Sequence, residues 1–195
     1  GNSILLRNET DVAVAEAFKI TVEELKSKID AAKVKLMQVR NSRIKPGLDD
    51  KILSSWNALM ITGYAKAYRV FGEEAFLNAA VTNANFLLKK AIAADGEMTR
   101  NYKNGRSSIN ALLDDYAFTI AAFIELYQAT FDEKWLTEAN KITSYTLEHF
   151  FDASSGMFFY THNQYADLIA RKMELSDNVI PSSNSEMAKN LFLLG

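Results

Sequence analysis

Leu113-Asp114-Asp115-Tyr116-Ala117-Phe118-Thr119-Ile120-Ala121-Ala122-Phe123-Ile124-Glu125-Leu126-Tyr127 decides the fold. At 3.6 residues per turn this stretch is apolar over most of its circumference, the pattern of a helix enclosed by neighbours. The next stretch, 133–150, carries Glu133, Lys134, Glu138, Lys141 and Glu148 on a polar face and is expected as a peripheral helix. Only Phe131-Asp132 separates the two. An earlier pair repeats the arrangement. Trp56-Asn57-Ala58-Leu59 and Ala67-Tyr68 align with Asp115-Tyr116-Ala117-Phe118 and Leu126-Tyr127 at a shift of 59 positions. The same shift places Phe76-Leu77 on Trp135-Leu136. Helices are therefore expected over 51–70 and 73–92, joined by Phe71-Gly72, and over 113–129 and 133–150. Gly96 falls on Gly156 after one inserted residue, and Asp49-Asp50 matches Asp114-Asp115 across a six-residue gap. Ser183-Asn184-Ser185-Glu186 opens a third copy.

Alternation of enclosed and peripheral helices predicts an all-α fold, an incomplete α/α toroid of helix hairpins with short β-hairpin loops. Its hairpins are expected over 48–112 and 113–182, with the start of a third over 183–195. Residues 1–47 form a helical lead-in. There Thr21-Val22-Glu23-Glu24 reads as a capping box before an apolar helical series of Leu25, Ile29, Ala32, Leu36 and Val39. Pro46-Gly47 stops that helix by about Lys45. A shorter helix is expected over 12–18. Asn104-Gly105 predicts a tight β-hairpin turn, and Met157-Phe158-Phe159-Tyr160-Thr161 a strand. The tight links occupy one rim. The long loops 93–112 and 152–182 occupy the other, with the first turns of the inner helices, and long loops on a rigid scaffold carry function.

Composition narrows the field. Apolar residues make up 48% of the 195, enough for a packed core, while 8 Gly and 2 Pro are too few for a turn-rich β-sandwich. Lys+Arg 22 against Asp+Glu 24 leaves a net charge of −2, without the basic footprint that nucleic acid or an acidic membrane requires. The basic run Lys26, Lys28, Lys33, Lys35 is interleaved with Glu23, Glu24 and Asp30 and reads as a solvated face. Zero Cys removes thiolate chemistry, and two His cannot make a three-histidine metal site. No metal and no cofactor is expected. Apolar runs are interrupted too often for a membrane span. The start, Gly1-Asn2-Ser3-Ile4-Leu5-Leu6-Arg7, lacks a basic n-region and a cleavage site, and a cytoplasmic protein is expected.

Gly47-Leu48-Asp49-Asp50-Lys51-Ile52-Leu53-Ser54-Ser55-Trp56-Asn57-Ala58-Leu59-Met60 resembles the bacterial and mitochondrial thioredoxin-domain proteins related to spermatogenesis-associated protein 20. Leu113-Asp114-Asp115-Tyr116-Ala117-Phe118, Glu125-Leu126-Tyr127-Gln128-Ala129-Thr130 and Asp177…Pro181-Ser182-Ser183-Asn184-Ser185 fit the same family. The resemblance implies a thioredoxin-like domain followed by a six-hairpin toroid similar to N-acylglucosamine 2-epimerases and other sugar enzymes. These residues lack the thioredoxin-like domain and its Cys motif. They hold two hairpins and the start of a third, so a closed ring and an active fragment are not expected. The thioredoxin-like module and the remaining toroid segments are the implied partners. Ser183 stands where the family pattern usually has Gly.

Each candidate residue has two readings. Asp50 and Asp115 are candidate acid–base catalysts facing each other across a funnel, with Asp49 and Asp114 beside them on the substrate. The competing reading is helix capping and dipole stabilisation. Trp56 and Tyr116 can stack a sugar ring while Asn57 bonds its hydroxyls, or all three serve the core. Arg100 and Arg171 can bind a sugar acid or phosphate, or stand solvated. Ser183 and Asn184 can bind an anion at a helix start, or Ser183 and Glu186 form a capping box. His162, on the loop rim, is the candidate general base, against an ordinary loop histidine; His149 sits at a helix end, where a cation suits the dipole. The function expected is acid–base chemistry on a carbohydrate, of the epimerase, isomerase or glycosidase kind. The alternative is a non-catalytic helical interaction domain serving the thioredoxin-like module. Leu191, Phe192 and Leu194 are expected to leave an apolar edge through which two copies dimerise.

Overall fold

The computed structural model describes residues 6, 8–164 and 170–195; most of the stretch Gly1–Arg7 read above lies outside them. The chain divides into two compact units, Gly1–Asp49 and Asp50–Gly195.

In the first unit, α1 (Asp11–Phe18) is capped by Thr10, whose hydroxyl accepts from the Ala13 N–H at 3.2 Å. The expected capping box starts α2 (Val22–Asn41). Glu24 N–H donates to Thr21 Oγ1 at 3.1 Å, and Thr21 N–H donates to Glu24 Oε2 at 3.0 Å. Helix α2 ends at Asn41 rather than near Lys45. Ser42 Oγ donates to the Val39 carbonyl at 2.7 Å and closes the last turn.

In the second unit the helices keep the repeat of the sequence. Helix α3 (Ser54–Phe71) and α5 (Leu113–Thr130) start 59 residues apart, as do α4 (Glu74–Lys90) and α6 (Glu133–Phe150). The tight links repeat as well. Gly72 and Phe131 both take left-handed backbone, at φ 70° and 56°, and their N–H groups donate to the Tyr68 and Tyr127 carbonyls. Helix α7 (Ser183–Leu194) begins the third copy.

Helix α5 lies between α3 and α7, with α6 as its hairpin partner, and α4 backs α3. The inner row is thus α3, α5 and α7, and the outer row α4 and α6. Almost every α5 residue from Leu113 to Leu126 is buried, whereas α6 exposes Glu133, Lys134, Asn140 and Glu148. Packing on three sides is what the all-round apolar pattern of α5 requires. At the end of α7, Leu191 and Leu194 pack against the core, so the exposed apolar pair is Phe192 and Leu193, not the expected trio.

Two boundaries correct the expectation. The first inner helix starts at Ser54, not residue 51, because Ile52–Leu53 forms β1, antiparallel to β2 (Asn101–Lys103). Strand β2 pairs in turn with β3 (Arg106–Ser107) through the expected turn, where Asn104 and Gly105 both have positive φ, 51° and 81°. The later strand is only β5 (Met157–Phe158), paired with β4 (Phe151–Asp152). It ends where the next partner residue, Phe150, belongs to α6 and Tyr160 N–H turns to the Lys172 carbonyl.

Gly96 locks the first long loop onto α6. At φ 99° it takes backbone that side chains rarely adopt, and an added Cβ would lie 3.1 Å from the Lys141 carbonyl oxygen and 3.2 Å from Tyr145 Cβ. Gly96→Ala is therefore expected to destabilise the unit by about 1–3 kcal/mol, read as a lower urea midpoint at unchanged slope.

Candidate functional site

The loop rim gathers one polar cluster around the first turn of α5. Asp115 is fully buried, and both its oxygens are engaged. Oδ1 accepts from the Ser55 N–H of α3 at 3.0 Å. Oδ2 accepts from the Leu112 N–H at 3.1 Å and from Arg100 Nη1 at 2.9 Å. The same Arg100 nitrogen donates to Asp114 Oδ1 at 2.9 Å, so one guanidinium nitrogen bridges two adjacent carboxylates. The Asp114 side chain keeps 16% of its surface exposed. It also bonds the Tyr160 hydroxyl. Tyr160 is held by its backbone, since Leu113 N–H donates to its carbonyl at 3.0 Å.

These contacts set the electrostatics. Burial, then the adjacent Asp114 charge, pushes the Asp115 carboxyl up to about 6, against the pull of Arg100. Burial also disfavours the Arg100 charge, but Asp115 and Asp114 outweigh it and raise the guanidinium above its usual range. Burial and the neighbouring Asp114 hold the Tyr160 phenol protonated well above its ordinary value. Chemically, the cluster offers one accessible carboxylate braced by a cation and a phenol, beside a buried carboxyl that titrates near neutrality.

The other predicted residues sit elsewhere. The helix register places Ser55 and Trp56, not Asp49 and Asp50, opposite Asp114 and Asp115 in the repeat. Asp50 is exposed and ion-pairs with Lys103, whose ammonium lowers its pKa. Asp49 is the exposed last residue of the first unit. Neither Asp caps α3, whose N-cap is Leu53. Trp56 is 66% exposed at the head of α3. Asn57 bonds the Leu53 carbonyl at 2.7 Å, inside its own first turn.

Tyr116 is core, not a sugar platform. It is buried, stacks on Tyr145, and its hydroxyl accepts from the Met98 N–H at 3.0 Å. Arg171 lies 4.0 Å over the Phe159 ring and donates to the Thr161 carbonyl, with burial lowering its pKa. Ser183 is buried and donates to Glu174 through both N–H and Oγ. The cap of α7 is Ser182, which accepts from the Ser185 N–H at 3.2 Å, so the expected Ser183–Glu186 box does not form. Asn184 acts as a surrogate strand, accepting from the Phe158 N–H at 2.8 Å and donating to its carbonyl at 2.9 Å. His162 is 3% exposed rather than open on the rim. Tyr160, Ser55 and Glu174 escaped the sequence reading; each acts through a partner distant in the chain, and no local pattern marks them.

Inner and outer helices in register define part of an α/α toroid. Among solved structures, cellobiose 2-epimerase from Bacillus thermoamylovorans matches 74% of this chain and 39% of its own, at TM-score 0.60 and 16% identity. The chain belongs to glycosyl hydrolase family 76, whose model matches residues 85–192. A family 76 mannosidase from Bacteroides thetaiotaomicron matches 77% of this chain and 40% of its own, at TM-score 0.60 and 15% identity. Spermatogenesis-associated protein 20 of Homo sapiens is 30% identical over 204 residues, covering 100% of this chain and 26% of that protein. The chain thus spans about a quarter of the curated relatives it matches. Among the described residues no helix is long and apolar enough to cross a membrane.

Proposed function

We propose that the unit 50–195 supplies one wall of a carbohydrate site, in which Asp114 is the carboxylate that meets the sugar and exchanges a proton with it. Asp115, Arg100 and Tyr160 act as positioning residues. The observation that carries this reading is the single Arg100 nitrogen shared by an accessible and a buried carboxylate at 2.9 Å each. Such an arrangement holds one acid–base group still beside a buried carboxyl that titrates near neutrality. Trp56, exposed on the adjacent inner helix, suits the apolar face of a sugar ring. The site is completed by segments outside these residues, so the 195-residue chain alone gives no turnover.

The test uses the full-length protein with cellobiose, mannose and mannan oligosaccharides, following products by chromatography. Asp114→Asn is expected to lower kcat at least about 100-fold with the fold intact. Absence of turnover in the parent protein, or an unchanged rate in the variant, overturns the proposal. A second reading, the helical interaction domain, is favoured by Trp56, Met60 and Val70, which lie exposed along one side of α3. That reading predicts the first of the two overturning outcomes, no turnover in the parent protein.

A further inference from the structure

The loop that carries Tyr160 is fastened at its far end by the buried His162, stacked on the partly buried His149. His162 Nδ1 accepts from the Gln164 N–H at 2.9 Å, which leaves its proton on Nε2, 3.1 Å from the Tyr145 hydroxyl of α6. Its ring stacks on that of His149, with centroids 4.5 Å apart and planes 20° apart. His149 Nδ1 is buried with no hydrogen-bond partner among the described residues. The Phe150 ring closes a third side edge-on, and Asn163 N–H donates to the His149 carbonyl at 3.1 Å. Nothing in the acid–base cluster uses these groups.

We infer that His162, stacked on His149, is an acid-sensitive latch, which holds the 159–164 loop against α6 when neutral and releases it when protonated. A proton on Nδ1 removes the acceptor of the Gln164 N–H and sets two donors face to face. It also places a cation against the His149 ring and toward Arg171 of the following loop, opposed among the described residues by Glu97 of the preceding loop. Burial, then His149, holds the His162 pKa below its ordinary value. The sign follows. An imidazole whose folded pKa lies below the unfolded value of about 6.5 stabilises the closed loop above that value, and the contribution is lost as pH falls through the folded pKa. Tyr160 lies two residues from His162, so release of the loop frees Asp114 from its phenol partner. This last consequence, and only this, rests on the function proposed above.

The experiment is hydrogen exchange of the full-length protein read by mass spectrometry at pH 7.5 and 5.5, corrected for intrinsic rates. Protection across 159–164 is expected to fall at least about tenfold at the lower pH relative to α5. His162→Asn keeps an acceptor for the Gln164 N–H and cannot titrate, so its loop stays protected at both values. Should that variant fail to fold, His149→Phe serves: without a like charge beside His162 the opening midpoint moves to higher pH. Protection independent of pH in the parent, persistent pH dependence in His162→Asn, or an unmoved midpoint in His149→Phe overturns the latch. Loop opening with no sugar turnover at any pH leaves the latch standing and overturns only the catalytic reading.

Discussion

Arg100→Ala is expected to cost about 3–5 kcal/mol of unfolding free energy. The variant leaves Asp115 buried beside Asp114 with no cation, and two carboxylates side by side cannot both stay ionised cheaply. A lowered urea midpoint at constant slope is the measurement; a loss under about 1 kcal/mol would mean that solvent already screens the pair. The pH dependence checks the same contact. With Arg100 in place Asp115 titrates at about 6, above the unfolded value of about 3.9. The folded state therefore binds the proton more tightly. The contribution of Asp115 is full below about pH 4 and is lost as pH rises through 6, by roughly 3 kcal/mol. Asp115→Asn lacks that fall. Its deficit relative to the parent is therefore largest below about pH 4 and shrinks by roughly 3 kcal/mol as pH rises through 6.

Trp135→Ala is the second large effect, also about 3–5 kcal/mol. Trp135 is buried on the inward face of α6 and meets the Phe123 ring of α5 at 5.4 Å between centroids. Removing the indole leaves a cavity between the inner and outer rows that α5 cannot close, being held on its other sides by α3 and α7. The repeat supplies the control. Phe76 occupies the same position in the first hairpin, half-buried and stacked on Tyr64 at 6.1 Å. Phe76→Ala should cost less than half as much. Equal losses at the two positions in chemical denaturation would contradict the view that α5 is the buried spine of the unit.

What the sequence revealed and what it hid divide by range. Helix periodicity, the Thr21 cap and the Asn104-Gly105 turn are written in residues a few positions apart, where periodicity and φ preference act directly, and the shift of 59 is the recurrence of such local patterns. The start of α3 is not. Lys51-Ile52-Leu53 continues a helical pattern as well as it begins a strand, and pairing with Asn101 and Tyr102 decides between them. The site was half legible for the same reason. An aspartate pair at a helix start marks a cap or a catalyst equally well, and what separates them is Ser55, 60 residues away, and Arg100, 15 away. Tyr116 and His162 carry polar atoms on otherwise apolar surroundings, and only the arrival of Met98 and Tyr145 makes them interior.

The bond from Ser55 to Asp115 has an evolutionary consequence. Solenoid proteins lengthen and shorten by gaining or losing whole repeats, because each unit asks only a generic surface of its neighbour. Here the second hairpin carries a buried carboxylate whose donors belong to the first, and the position of Asp115 is filled by Trp56 in that first hairpin. The two units have become non-exchangeable: a chain that duplicated or deleted one would strand either the acid or its donors. Point substitution, rather than repeat shuffling, is the route by which such a ring can diversify.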